Sequence, residues 1–149
     1  MQRITQFYDR TVHFLSGTIF ESGALLLTRL ALAGVFWRSG QTKIVEGSWF
    51  EIDELQFFLF EEFGLPVSPQ IMVPITAYAE FFLPILVVMG IFTRLSAAAL
   101  LGMTLVIQFL IFPEAWWPTH SLWAAMALIL MARGGGLFCV DALVTKIRN

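Results

Sequence analysis

Leu26 to Lys43 reads LLTRLALAGVFWRSGQTK, and the fold turns on how this stretch is understood. It is apolar enough to enter a bilayer, yet Arg29 and Arg38 interrupt it. A charge at membrane depth costs about 2.5–3.5 kcal/mol on insertion scales unless it is paired or snorkels to the interface. Other helices are therefore expected to supply partners for these two arginines.

Working outward, the first span is expected from about Gly23 to Thr42, close to the length of roughly 20 residues that crosses a hydrocarbon core. Its small residues Ala31, Ala33 and Gly34 favour close approach of a neighbour. Upstream, residues 1–20 place Ile4, Tyr8, Val12, Leu15 and Ile19 at helical spacing, with Arg3, Asp9, Arg10 and His13 scattered among them. Such a segment reads as an amphipathic helix lying on the membrane surface and not as a cleavable signal; a partly ordered soluble tail is the alternative.

Downstream lies the one long connection, residues 44–70, entered at Lys43. It holds six acids (Glu46, Glu51, Asp53, Glu54, Glu61, Glu62) and the aromatics Trp49, Phe50, Phe57, Phe58, Phe60 and Phe63. A short amphipathic helix over one mouth of the bundle, from about Trp49 to Phe63, is expected. A loop of this length is more often functional than filler, although a cap over helix ends would look the same. The second span, about Ile71 to Phe92, carries Glu80; Pro74 is read in its first turn and Pro84 as an interior kink. A tight hairpin at Gly90–Arg94 leads to the third span, about Leu95 to Phe112, which carries Gln108. After PEAWWP, the fourth span runs from about Thr119, read as an N-cap, to about Ala132, with a possible extension through Gly134–Gly136 to Val144.

Composition agrees. Of 149 residues, 58% are hydrophobic and 13% charged, against about 45–50% and 25% for soluble domains. The mean hydropathy is +0.77. A net charge of −2 provides no basic stripe for nucleic acid. Cys139 is the sole cysteine, which excludes an internal disulfide, a CxxC redox pair and a cysteine metal cage. The chain thus reads as one all-α, four-span integral membrane domain: a four-helix bundle with an N-terminal interfacial helix and an extracytoplasmic loop between spans one and two. The basic residues Arg3, Arg10, Arg94, Arg133, Lys146 and Arg148 collect at one side, which by the positive-inside rule puts both termini in the cytoplasm.

Counted from that side at about 1.5 Å per residue, Arg38 lies about 22 Å up its span, and Glu80, Gln108 and His120 each about 20 Å up theirs. The expectation is an Arg38–Glu80 ion pair, with Gln108 and His120 completing the polar layer and Trp37, Tyr78 and Trp116 walling it. His120 and Glu80 are the proton-exchanging, catalytic candidates. Arg38, Gln108, Trp37, Tyr78 and Trp116 are the binding candidates. Arg29, lower in the span, is expected to reach Asp141 as a structural ion pair. The same polar layer is also consistent with helix glue alone.

The order Arg29-x₈-Arg38-Ser39-Gly40-x-x-Lys43, Ala79-Glu80, Gly90-x-x-Thr93-Arg94, Gly134–Gly136 and Asp141 resembles the DoxX family of small bacterial membrane proteins. FWRSGQTK and Trp117-Pro118-Thr119-His120 are similar to the variety found beside copper-handling, bufferin-type proteins. The resemblance implies a four-helix inner-membrane protein linked to redox chemistry at the quinone pool. No haem, flavin or metal motif stands in the sequence. Two functions follow. One is a quinone-linked redox subunit, in which His120 and Glu80 exchange protons and Arg38 stabilises an anion. The other is a non-catalytic anchor that docks a redox or copper-handling protein partner on the aromatic loop. A metal transporter is disfavoured, since no His or Met pair stands at ligand spacing along a span.

Overall fold

Every regular element long enough to matter is a helix, because the chain is apolar nearly throughout and a lone helix satisfies its own backbone in lipid. The computed structural model describes residues 2–148. The side chains of residues 2–5 and of Arg148 fall outside that description, so Arg3, Ile4 and Arg148 drop out of the comparison with the sequence. The helices are α1 (Gln2–Leu15), α2 (Thr18–Gln41), α3 (Leu55–Glu62), α4 (Pro69–Met89), α5 (Thr93–Leu110), α6 (Ser121–Arg133) and α7 (Val140–Arg148). A 3-10 turn (Pro113–Ala115) and a π turn (Trp116–His120) lead into α6. Among the described residues there is no strand, only an isolated bridge between Ile44 and Ile52.

Three helices, α2, α4 and α5, are long and apolar enough to cross a membrane among the described residues. α2 buries Ser22, Leu25, Arg29, Leu32, Ala33, Phe36 and Gly40, a stripe with the 3.6-residue period of a helix face. Its other faces carry exposed Leu27 and Leu30, as expected of a helix whose outer surroundings are apolar too. α2 packs on α4 and α6, and α5 packs on α4 and α6. Leu32 and Phe36 of α2, Val87 of α4, Leu100 of α5 and Leu130 of α6 form one core, each almost wholly buried. α3 lies against α4.

Several boundaries differ from expectation. The loop helix begins at Leu55, not near Trp49, because residues 43–53 are held by backbone bonds between Val45 and Glu51 and between Asp53 and Lys43. Pro69 occupies the first turn of α4, and Pro74 sits a turn deeper, inside the helix. Thr119 does not cap α6; it lies inside the π turn. α6 stops at Gly134, whose φ of 78° and ψ of −162° end the helix, so the expected extension toward Val144 does not form. Close approach is made at Gly40 and not at Gly34: a Cβ on Gly40 would come within 3.2 Å of Glu80, whereas nothing lies within 4 Å of one on Gly34. α1 leaves Tyr8, Val12, Leu15 and the following Ile19 exposed, an apolar stripe without a protein partner among the described residues.

Candidate functional site

The buried stripe of α2 runs Phe36, Gly40 and then, at the same spacing, Lys43. Lys43 has left the helix, but the turn after Gln41 is held by the Lys43 amide on the Gly40 carbonyl. Its side chain therefore continues the inward face. Lys43 Nζ donates to Glu80 Oε2 at 2.7 Å and to Ser39 Oγ at 3.2 Å. Both Lys43 and Glu80 are buried. Gly40 lets α2 reach the Glu80 backbone, and Pro84, four residues on, has no N–H to offer the Glu80 carbonyl. Helix contact and charge pairing thus coincide at one residue of α4.

A second polar pair stands on α5 and the π turn. Gln108 Nε2 donates to the Pro113 carbonyl at 2.7 Å, which turns Gln108 Oε1 toward His120 Nδ1, also at 2.7 Å. An amide oxygen only accepts, so Nδ1 carries the proton, and in the neutral ring Nε2 is left as an acceptor. The His120 ring packs 4.9 Å from that of Trp123.

Glu80, Lys43 and His120 all line one cavity of about 500 Å³. Ser39, Gln56 and Thr76 complete its polar part; the rest is apolar, including Phe36, Phe60, Phe63 and Trp123. Gln56 and Phe60 come from α3, which is tied down by Gln56 Nε2 donating to the Thr42 carbonyl at 3.2 Å. Such a space, apolar with a few convergent polar groups, has the size and character of a small-molecule site.

The opposite end of the helices holds its charges differently. Arg29 is fully buried. Its guanidinium donates to the Val88 carbonyl at 2.7 Å and to the Phe138 carbonyl. Val88 belongs to the last turn of α4, where carbonyls lack helical partners and the helix dipole favours a cation. Arg29 Nε has no partner among the described residues. Asp141 accepts from the Phe92 and Thr93 amides at 2.9 and 2.8 Å and from the Thr93 hydroxyl at 2.8 Å, so it caps the start of α5 from another element. Burial pushes the Asp141 carboxyl up, but the Thr93 and Phe92 hydrogen bonds and the charge of Arg29 outweigh it and hold the carboxyl below the usual carboxylate range.

A family model described as DoxX matches residues 24–113. The chain belongs to the DoxX family. No curated protein and no solved structure matches it. The stretch matched in this DoxX chain contains Arg29, Lys43, Glu80 and Gln108, while His120 and Asp141 lie beyond it.

Within the DoxX chain the expected Arg38–Glu80 pair is not formed. Arg38 is exposed, because it lies two residues, about 200°, around the helix from Phe36; Lys43 takes its place. Arg29 and Asp141 share a neighbourhood without the direct ion pair expected of them, since backbone groups satisfy each. Gln108 pairs with His120 and with the Pro113 carbonyl, and neither Gln108 nor His120 bonds to Glu80. Trp37 packs against Phe81 at 5.2 Å, Tyr78 is 40% exposed, and neither these two nor Trp116 lines the cavity. The walls come instead from Phe36, Phe60, Phe63 and Trp123. Lys43 was discoverable: continuing the stripe of positions 29, 32, 36 and 40 leads to it.

Proposed function

We propose that this protein is a four-span subunit of the bacterial inner membrane, both termini cytoplasmic, whose cavity binds a quinone and assists its redox chemistry. The observation that carries the reading is an apolar cavity that ends on Lys43, Glu80 and His120. The fourth span is residues 116–133, a π turn running into α6, which packs in the same core as the three longer helices. The orientation rests on Arg94, Arg133 and Lys146 gathering at the end where the termini lie, opposite the acidic loop.

The donor set suits a ring that carries two oxygens. Lys43 offers N–H groups, the Glu80 carboxylate accepts, and His120 Nε2 accepts while its Nδ1 proton is held by Gln108. When bound, a quinone supplies two-electron, two-proton chemistry. Lys43 would bind and orient a ring oxygen; Glu80 and His120 would receive or return protons. The Lys43–Glu80 pair lets a carboxylate exist at this depth, because each charge offsets the desolvation of the other. Phe60 and Phe63, brought over the cavity by α3, keep water from its polar end.

The test is extraction. Protein purified in mild detergent is expected to yield a quinone by mass spectrometry, and added quinone should raise its thermal midpoint. Glu80→Gln and His120→Ala should lose both signals while keeping a folded helical spectrum. Wild-type protein that carries no quinone and gains no stability from it overturns the reading.

A further inference from the structure

The cavity described above has one wall unlike the others. Phe36, Phe60, Lys43, Glu80 and His120, which line it on the side of α2, α3 and the π turn and at its polar end, are buried. The lining residues that are also exposed lie elsewhere: Ile75 on α4 is 57% exposed, Val106 on α5 is 39% exposed, Phe112 just past the end of α5 is 46% exposed, and Gly102 on α5 is exposed as well. A residue that both lines a cavity and meets the surroundings marks its mouth. This mouth therefore runs between α4 and α5, along the sides of two helices read as membrane spans, from Gly102 at mid-helix to Phe112 just past the end of α5.

Gly102 widens it. Position 102 is the tenth of eighteen residues in α5, near mid-helix, where glycine costs about 1 kcal/mol relative to alanine. Nothing lies within 4 Å of where its Cβ would stand, so the glycine is not required by a helix–helix contact, as Gly40 is. What it leaves is a gap in the wall. The chemistry differs between the mouth and the polar end: Ile75, Gly102 and Val106 at the mouth are apolar, and the hydroxyl of neighbouring Thr76 is spent on the Met72 and Val73 carbonyls of its own helix, while Lys43, Glu80 and His120 supply the charged and imidazole groups of the cavity.

Resting on the quinone reading for the identity of the ring, we infer that the cavity opens sideways into the bilayer between α4 and α5, and that it takes a lipophile whose hydrocarbon tail leaves across Gly102. The polar head sits at the ion pair. Access is from the hydrocarbon phase, so a water-soluble substrate of the same head chemistry gains nothing from the groove. Gly102 acts as a specificity-determining position for the tail.

Two arms test it in proteoliposomes. In the first, binding is measured for a benzoquinone bearing a decyl chain and for the same ring without the chain. Wild type should prefer the decyl form at least tenfold; Gly102→Leu should abolish that preference, while Gly34→Leu, on a different face with equally open space, should keep it. In the second, Trp123 is left as the only tryptophan and its fluorescence is quenched by lipids with brominated acyl chains. Quenching that Gly102→Leu lowers at least twofold supports the lateral mouth without reference to any quinone. Equal binding of tailed and tail-less rings, or quenching indifferent to Gly102→Leu, overturns the inference. Quenching that responds to Gly102→Leu while neither ring binds supports the mouth and overturns the quinone reading alone.

Discussion

The two ends of this helical assembly hold their charges in opposite ways. At the end where α4 and α6 terminate, Arg29 meets the carbonyls of Val88 and Phe138, Arg94 meets those of Met131 and Ala132, and Asp141 meets the amides that open α5. These three charges are met mainly by backbone groups, most of them left without partners at a helix terminus, and glycines bring the chain close beside them: a Cβ on Gly90 would overlap Cys139, and one on Gly135 would come within 2.9 Å of Thr93. The same end also carries the Arg133–Glu21 pair and a surface pocket bordered by Arg94, Arg133 and Asp141, but there Arg94 and Asp141 are already occupied by their hydrogen bonds. At the other end Lys43 and Glu80 meet each other, Gln108 and His120 meet each other, and Lys43, Glu80 and His120 border a cavity that Gln108 does not line. A charge satisfied by backbone becomes part of the fold. A charge satisfied by a second side chain beside empty space stays available to a ligand.

The contrast breaks first if Arg29 proves dispensable. Arg29→Met strands two buried carbonyls and should cost about 1–3 kcal/mol for each; the readout is the yield of folded protein and its thermal midpoint. A loss no greater than that of the Lys43→Met/Glu80→Gln double variant, which leaves no lone buried charge, would erase the distinction between the two ends. Next comes Gly90→Ala. Its φ of 69° and the overlap with Cys139 together should cost about 2–4 kcal/mol. Adding Cys139→Gly should recover only the share of that loss due to the Cys139 Cβ, because Arg29 Nη1 would still stand 2.8 Å from the new methyl, a partial recovery readable as non-additivity in a double-mutant cycle.

Asp141 sharpens the comparison through pH. Its carboxyl is depressed in the folded protein, so the stability it contributes is present above the unfolded pKa of about 3.9 and is lost as pH falls through the lower folded value. The thermal midpoint should drop on acidification below about pH 4, and Asp141→Asn should flatten that drop. At the cavity end the double variant Lys43→Met/Glu80→Gln should cost less than either single change, because no lone charge is left buried. It should nevertheless remove the stabilisation by added quinone. The smallest effect is expected from Arg38→Ala: no change in midpoint or in quinone response, since the side chain is exposed and has no ion-pair partner among the described residues. A strong effect there would restore Arg38 to the site.

Much of this was readable beforehand for a definite reason. Spans depend on length and apolarity along one dimension, so the expected limits of α2, α4 and α5 fall within a few residues of the observed ones; of Glu80, Gln108 and His120, Glu80 and His120 line one cavity and Gln108 bonds to His120. Direction around each helix is a separate property, and there the structure departs from expectation. Arg38 has the right height and the wrong azimuth. Lys43 has the right azimuth and lies past the helix end, where a count of spanning residues stops. Trp37 and Tyr78 fail in the same way as Arg38. The partners of Arg29 and Asp141 escaped because they are backbone groups, which no residue letter announces.

Apolarity without interruption, the sparse charges within it and the punctuation by Gly90, Pro113 and Gly134 are local properties, and they were enough to specify an all-helical membrane chain and its DoxX membership. Which charges meet, where the space between helices remains and toward which side it opens depend on how helices rotate against one another. That rotation is set by close contacts such as Gly40 on Glu80, which exist only once the helices have packed.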